Sequence, residues 1–250
     1  MVQVTLIGSG NVARHLLSAL SDAPEVTLRQ VFVRNPEKAP KLPAETELIS
    51  DFERLAAADL YIIAVSDSAI TEVSKSFPFS DRLVAHTAGS LPVNVIDSKN
   101  RGASFYPLQT FSKNRKLDFS AIPICIETAD PADMKILREV AGAISNDVRE
   151  VNSSQRLALH TAAVFVCNFV NHLYRLGENI CTENQLDFNI LKPLILETAS
   201  KVMELDPKSA QTGPAVRRDD VTINRHLEFL KDDELIKIYN TLTDSIKKWN

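Results

Sequence analysis

The chain has 250 residues, 44% of them hydrophobic and 24% charged, a balance that excludes disorder and leaves room for one large domain or two ordinary ones. Its formal charge of −4 excludes a general attraction to nucleic acid or to an anionic membrane, so any anion must be held by a local arrangement. Cys125, Cys167 and Cys181 are widely spaced in apolar sequence, which points to buried thiols in a reducing compartment and not to a disulfide or metal framework. The start lacks the basic segment of a signal peptide, and the apolar stretch 157–170 is interrupted by His160, Thr161 and Asn168 and is shorter than a bilayer span. The expectation is a cytoplasmic protein with no membrane or nucleic-acid partner and no metal.

The first informative stretch is 3–17. An apolar, β-branched run ends at Gly8, and Gly8-Ser9-Gly10-Asn11-Val12-Ala13 follows as a GxGxxA dinucleotide fingerprint. Gly8 permits the turn out of the strand, Gly10 lets a pyrophosphate approach the backbone, and Ala13 lets the helix pack close to the strand. The amphipathic helix carrying Val12, Leu16, Leu17 and Leu20 then presents its free N–H groups and positive dipole end to the anion.

A second strand is expected over 26–33. At its end, where an acidic residue would bind the 2′-hydroxyl of NAD, stands Arg34, with Asn35 and Lys38 close behind. That substitution points to the 2′-phosphate of NADP; the alternative is an ordinary surface arginine in a turn. Prolines across 36–43 forbid a regular helix. The nearly continuous apolar run 59–65 reads as a strand buried on both faces, ending at Ser66-Asp67-Ser68, where Asp67 or Ser68 is expected to cap the next helix. Val65, Ser66 and Asp67 therefore fall on the carboxyl edge of the sheet, where ligands bind. A strand over 83–86 delivers His86, Thr87 and Gly89 to the same edge, and these are added to the expected cofactor contacts. An extended segment over 104–107 precedes Gln109, a candidate substrate contact. A strand over 122–127, a helix over 131–144 capped by Asp130 and a strand over 147–151 complete the alternation.

From Asn152 onward helical periodicity dominates. The expected architecture is an α/β, doubly wound Rossmann-type parallel sheet over 1–151 followed by an all-α domain over 152–250. The nearly all-apolar helix 157–170 should be enclosed, in part by a second subunit, so a homodimer is expected. A spacing of four puts His160, Val164 and Asn168 on one helical face, and histidine is a ready acid or base near neutral pH. The alternative is a core histidine and asparagine. The loop 213–219 supplies Arg217, suited to a carboxylate or phosphate on a substrate, or only to a surface salt bridge beside a helix cap.

Gly8-Ser9-Gly10-Asn11-Val12-Ala13, 64–70, His86-Thr87-Ala88-Gly89-Ser90, 106–111 and 213–219 together resemble a family of Rossmann-like NADP-binding proteins with a helical C-terminal domain of unknown function. More distantly the chain is similar to pyrroline-5-carboxylate reductase and the β-hydroxyacid dehydrogenases. That resemblance implies NADP-linked hydride transfer on a small carbonyl, imine or hydroxy compound bound between the domains. Two departures bear on it. The β-hydroxyacid dehydrogenases carry a lysine one turn before the asparagine matched here by Asn168, and this chain has Val164, which cannot donate a proton. Tyr106 stands before the proline where the resemblance leads one to expect histidine. His160 and Asn168 are the candidate catalytic pair. The rival expectation is a sensor or scaffold that keeps the cofactor site without the chemistry.

Overall fold

The computed structural model describes residues 1–250 apart from Asn114, Asn250 and the side chain of Lys38. An eight-stranded sheet forms from β1 (Val2–Ile7), β2 (Val26–Phe32), β3 (Glu47–Ile49), β4 (Leu60–Ile63), β5 (Leu83–His86), β6 (Arg101–Pro107), β7 (Ile124–Thr128) and β8 (Val148–Glu150). Their order is β3-β2-β1-β4-β5-β6-β7-β8, and the order reverses between β1 and β4. The doubly wound Rossmann-type architecture of the first part is thus as the sequence leads one to expect.

The sheet is filled from both faces because its central strands carry apolar side chains on alternate sides. Leu60 and Ile62 of β4 join one core with Leu16 and Leu20 of α1 (Asn11–Ser21), while Tyr61 and Ile63 join the other with Phe77 and Ile70, the first residue of α2 (Ile70–Lys75). In α1 the buried positions are Ala13, Leu16, Leu17 and Leu20, the spacing of a helix with one apolar stripe. On the first face α3 (Met134–Gly142) adds Leu137, Val140 and Ala141.

One join departs from the all-parallel expectation: β6 and β7 pair antiparallel, with Tyr106 opposite Cys125. Among the described residues of the connection 108–123 the only helical element is a 3-10 turn, Phe119–Ala121, and a parallel return needs a crossover that such a segment does not supply. Strand β3, three residues long, is too short to leave a periodic signal.

A helix begins at Ser153 and runs without interruption to Glu183 as α4 (Ser153–Ala163), a π-helical span (Val164–Phe169) and α5 (Val170–Glu183). Asn152 and Gln155 close its start with a reciprocal capping box. Its 31 residues exceed the apolar stretch legible in the sequence and pass, by length and composition alone, for a bilayer-crossing helix. Its first turns, however, are docked on the sheet through a buried arginine, described below. The chain changes from alternating strands to helices at Asn152, while its two compact units divide later, into Met1–Cys167 and Asn168–Asn250.

The second unit comprises α5, α6 (Lys192–Glu204), α7 (Pro207–Ala210), α8 (Asp220–Phe229) and α9 (Asp233–Trp249). Asp206 and Asp219 cap α7 and α8, and His226 meets the Tyr239 hydroxyl at 2.8 Å to tie α8 to α9. Among its described residues the buried hydrophobic ones are few: Cys181, Ala215 and Ile223. Ile190, Leu194, Leu196 and Met203 are each more than half exposed.

Candidate functional site

The β1 strand ends in a conformation open only to glycine. Gly8 has φ +135°, and a Cβ there would stand 2.2 Å from the Ala64 carbonyl oxygen, so this glycine lets the ends of β1 and β4 approach. At Gly10 a Cβ would meet nothing within 4 Å, which leaves open space in front of the N-terminus of α1. The first turn of α1 contains no acidic residue and its N-cap makes no side-chain hydrogen bond, so the leading N–H groups keep their capacity for an anion. Arg14 Nε donates to the Ser9 carbonyl at 3.1 Å and Asn11 Nδ2 to the Phe111 carbonyl at 3.0 Å, two ties that hold the turn and the 109–111 segment in place.

These residues line a cleft of about 1060 Å³ that includes Gly8, Ser9, Gly10, Asn11 and Val12, then Arg34 and Asn35 from the end of β2, Val65 and Ser66 from the end of β4, and Gln109. Ala13 lies beneath it, buried, where it seats α1 on the sheet. The Arg34 guanidinium is exposed and makes no ion pair with the described residues, whereas the Asn35 side chain accepts the Glu37 N–H at 3.1 Å and so works as a turn cap. The side chain of Lys38 lies outside the described residues. Size, glycine openings, a free helix N-terminus and an unpaired arginine at the far end together fit an extended phosphorylated dinucleotide.

Further along the edge, the expected helix caps are absent: α2 follows a 3-10 turn, Asp67–Ala69, and neither has a side-chain cap. Asp67 instead accepts the Ser90 hydroxyl at 2.8 Å and joins the β4 and β5 turns. Thr87 hydrogen-bonds the Ile63 carbonyl at 3.4 Å. His86 is fully buried and its Nδ1 accepts the Ala88 N–H at 3.2 Å, so its side chain has no surface to offer a ligand, and the cofactor contact expected of it is not made by that ring. Burial first, then the charge of Arg156, push His86 down to about 4, which keeps the ring neutral.

Across β5, β6 and β7 the register sets His86 beside Ser104 and Ser104 beside Glu127. Onto Glu127 comes Arg156 of α4, whose side chain is 0% exposed. Its Nη1 pairs with Glu127 Oε2 and its Nη2 donates to the Leu91 carbonyl at 2.5 Å. Glu127 also accepts the Ser153 N–H at 2.9 Å and the Ser153 hydroxyl at 2.8 Å, so one carboxylate holds both the start of α4 and its buried cation. Neither Arg156 nor Glu127 was singled out by sequence. A usable signal existed: Arg156 precedes His160 by four residues and thus shares its helical face.

One turn beyond Arg156, His160 is half-buried and its Nδ1 lies 3.0 Å from the Tyr106 hydroxyl. Gly89 passes beneath this pair. A Cβ on Gly89 would fall 2.6 Å from His160 Nδ1 and 2.9 Å from the Tyr106 ring, so this glycine serves the seating of His160. Burial pushes the Tyr106 phenol up to about 12, and it keeps its proton at any physiological pH. Asn168 is exposed, within the π-helical span. The spacing of four that relates His160 to Val164 is α-helical, whereas Val164 to Asn168 runs through i→i+5 bonding. Arg217 lies in the second unit, in the turn before Asp219, which caps α8 through Thr222. The three cysteines are free, Cys125 and Cys181 buried and Cys167 only half so.

Fold and cleft are those of a Rossmann-like dinucleotide-binding protein. Residues 122–246 match the family described as Domain of unknown function (DUF2520), and residues 3–88 match the one described as NADP oxidoreductase coenzyme F420-dependent. The chain belongs to the DUF2520 family, with an NADP oxidoreductase-type Rossmann domain before the DUF2520 region. A candidate NADP oxidoreductase from Bacteroides fragilis is 41% identical over 99% of this chain and 98% of its own, with a TM-score of 0.89. A reductive aminase from Aspergillus terreus, solved with NADPH and ethyl-5-oxohexanoate, shares the fold at 13% identity, covering 100% and 95% of the two chains with a TM-score of 0.71. Plasmodium falciparum pyrroline carboxylate reductase with NADP bound does so at 13% identity, 99% and 100% coverage and a TM-score of 0.60. No curated protein matches the chain.

Proposed function

We propose that this chain binds NADP(H) in the cleft at the β1–α1 turn and acts as an oxidoreductase on a small carbonyl, imine or hydroxy compound. The observation that carries the reading is the unpaired Arg34 at the end of β2, on the same cleft as the Gly8 and Gly10 openings. The N-terminus of α1 would hold the pyrophosphate, Arg34 the 2′-phosphate, and the edge residues Val65, Ser66 and Asp67, with Thr87 and Gly89, the nicotinamide half. When bound, the reduced cofactor supplies hydride. His160 supplies the proton that Val164 cannot, at the substrate's oxygen or nitrogen. Asn168 is proposed as the second member of the catalytic pair, and Gln109 and Arg217 as substrate contacts, Arg217 for an anionic group. The setting is the cytoplasm.

One charge-assisted contact contributes roughly 1.5–3 kcal/mol, about tenfold or more in affinity. Fluorescence titration should therefore show NADPH binding at least tenfold more tightly than NADH, with Arg34→Ala removing the preference and leaving NADH affinity unchanged. Equal affinity for the two cofactors would sink the assignment.

Val164 at the lysine position favours a second reading, a non-catalytic NADP-binding sensor. A screen of NADPH oxidation against imines and keto acids separates the two, since a sensor binds without turnover.

The proposed partner is a second copy of the chain. Phe165, Val166 and Phe169 on the long helix and Ile190 and Leu194 on the second unit expose apolar surface of a kind that monomers rarely leave to water. Light scattering at micromolar concentration should give twice 27.7 kDa. A strict monomer would count against it.

A further inference from the structure

We infer that Tyr106 is a positioning residue for His160: its hydroxyl donates to Nδ1, fixes the ring proton on Nε2, and makes Nε2 the nitrogen that faces a ligand. The inference rests on the proposed role of His160 but not on the identity of any substrate.

Tyr106 is 8% exposed, and among the described residues its hydroxyl has one hydrogen-bond partner, His160 Nδ1 at 3.0 Å. A buried hydroxyl left without an acceptor costs about 1–3 kcal/mol, so the phenol proton belongs in that contact. If Nδ1 carried the ring proton and donated instead, the phenol hydrogen would have no acceptor among the described residues. The neutral ring is therefore the Nε2–H tautomer. The rings meet edge to face, centroids 5.9 Å apart and 77° between planes, which limits rotation of the imidazole, and the bare backbone of Gly89 closes its other side. Cys125, cross-strand from Tyr106, is a neutral thiol raised by burial, and Arg156 and Asp67 are the charges that act on the phenol; neither hydrogen-bonds it. Tyrosine in place of the histidine expected before Pro107 thus has a physical consequence: a second imidazole would reach less far than a phenol, and this chain carries its imidazole on α4 instead.

The test is a nitrogen-detected NMR spectrum of full-length protein labelled with ¹⁵N-histidine, with His160→Gln for assignment and no cofactor added. At pH 8 the wild-type spectrum should show Nδ1 as an unprotonated acceptor and Nε2 protonated. Tyr106→Phe keeps the ring and removes the donor, so both His160 signals should move toward the averaged positions of a mixed tautomer. NADPH affinity should stay within twofold, and kcat on a substrate from the screen should fall about tenfold with KM little changed, the effect of one lost hydrogen bond. A wild-type His160 protonated on Nδ1, or one whose signals are unmoved in Tyr106→Phe, overturns the inference, and the wild-type spectrum decides even if the variant fails to fold. If His160→Gln leaves turnover intact while the tautomer is as stated, the catalytic role of His160 fails and the positioning by Tyr106 stands.

Discussion

Glu127→Ala is expected to destabilise the protein by about 3–5 kcal/mol, the cost of stripping a buried ion of its partner. Arg156 is wholly enclosed, and Glu127 is its carboxylate. The same carboxylate receives the N–H and hydroxyl of Ser153, so its loss also takes that acceptor from the first residue of α4. For a chain of this size the expected fall in melting temperature is roughly 6–20 °C. Urea denaturation followed by circular dichroism measures it. The matched control is Arg54→Ala, which breaks the exposed pair with Glu47 and should cost less than about 1 kcal/mol. A loss in Glu127→Ala no larger than in that control would mean that water reaches the Arg156 guanidinium.

His160→Ala is expected to slow turnover by roughly 10²–10⁴-fold, the range for loss of a general acid. NADPH binding should survive, because the cradle at Gly8 to Val12 and Arg34 is built from other elements. The variant also leaves the Tyr106 hydroxyl without its partner, so Tyr106→Phe/His160→Ala should be no slower than His160→Ala alone if the two residues act as one unit. Single-turnover measurement of NADPH oxidation reads both effects. A loss under threefold would return His160 to packing and favour the sensor reading.

Features whose physics is local were determined by the sequence alone. The fingerprint at Gly8 to Ala13 is legible because each position is constrained within one turn: a positive φ, an open approach, a close helix. The central strands β4 and β5 are legible because burial on both faces demands an unbroken apolar run. Asp130 and the helix behind it follow from capping chemistry over a few residues. Tertiary structure decided whatever depends on partners far apart in the chain. The antiparallel return of β7 was set by a connection without a crossover helix. The pairing of Glu127 with Arg156 spans 29 residues and that of Tyr106 with His160 spans 54, and no periodicity encodes either. His86 reads in sequence as an edge residue beside Thr87 and Gly89, yet the neighbouring strands bury it, because the pleat turns successive side chains to opposite faces and the fold alone chooses which face is covered. The π-helical span between Val164 and Phe169 belongs to the same class: an apolar helical pattern does not mark where i→i+4 bonding gives way to i→i+5, and the change shows only in the folded backbone.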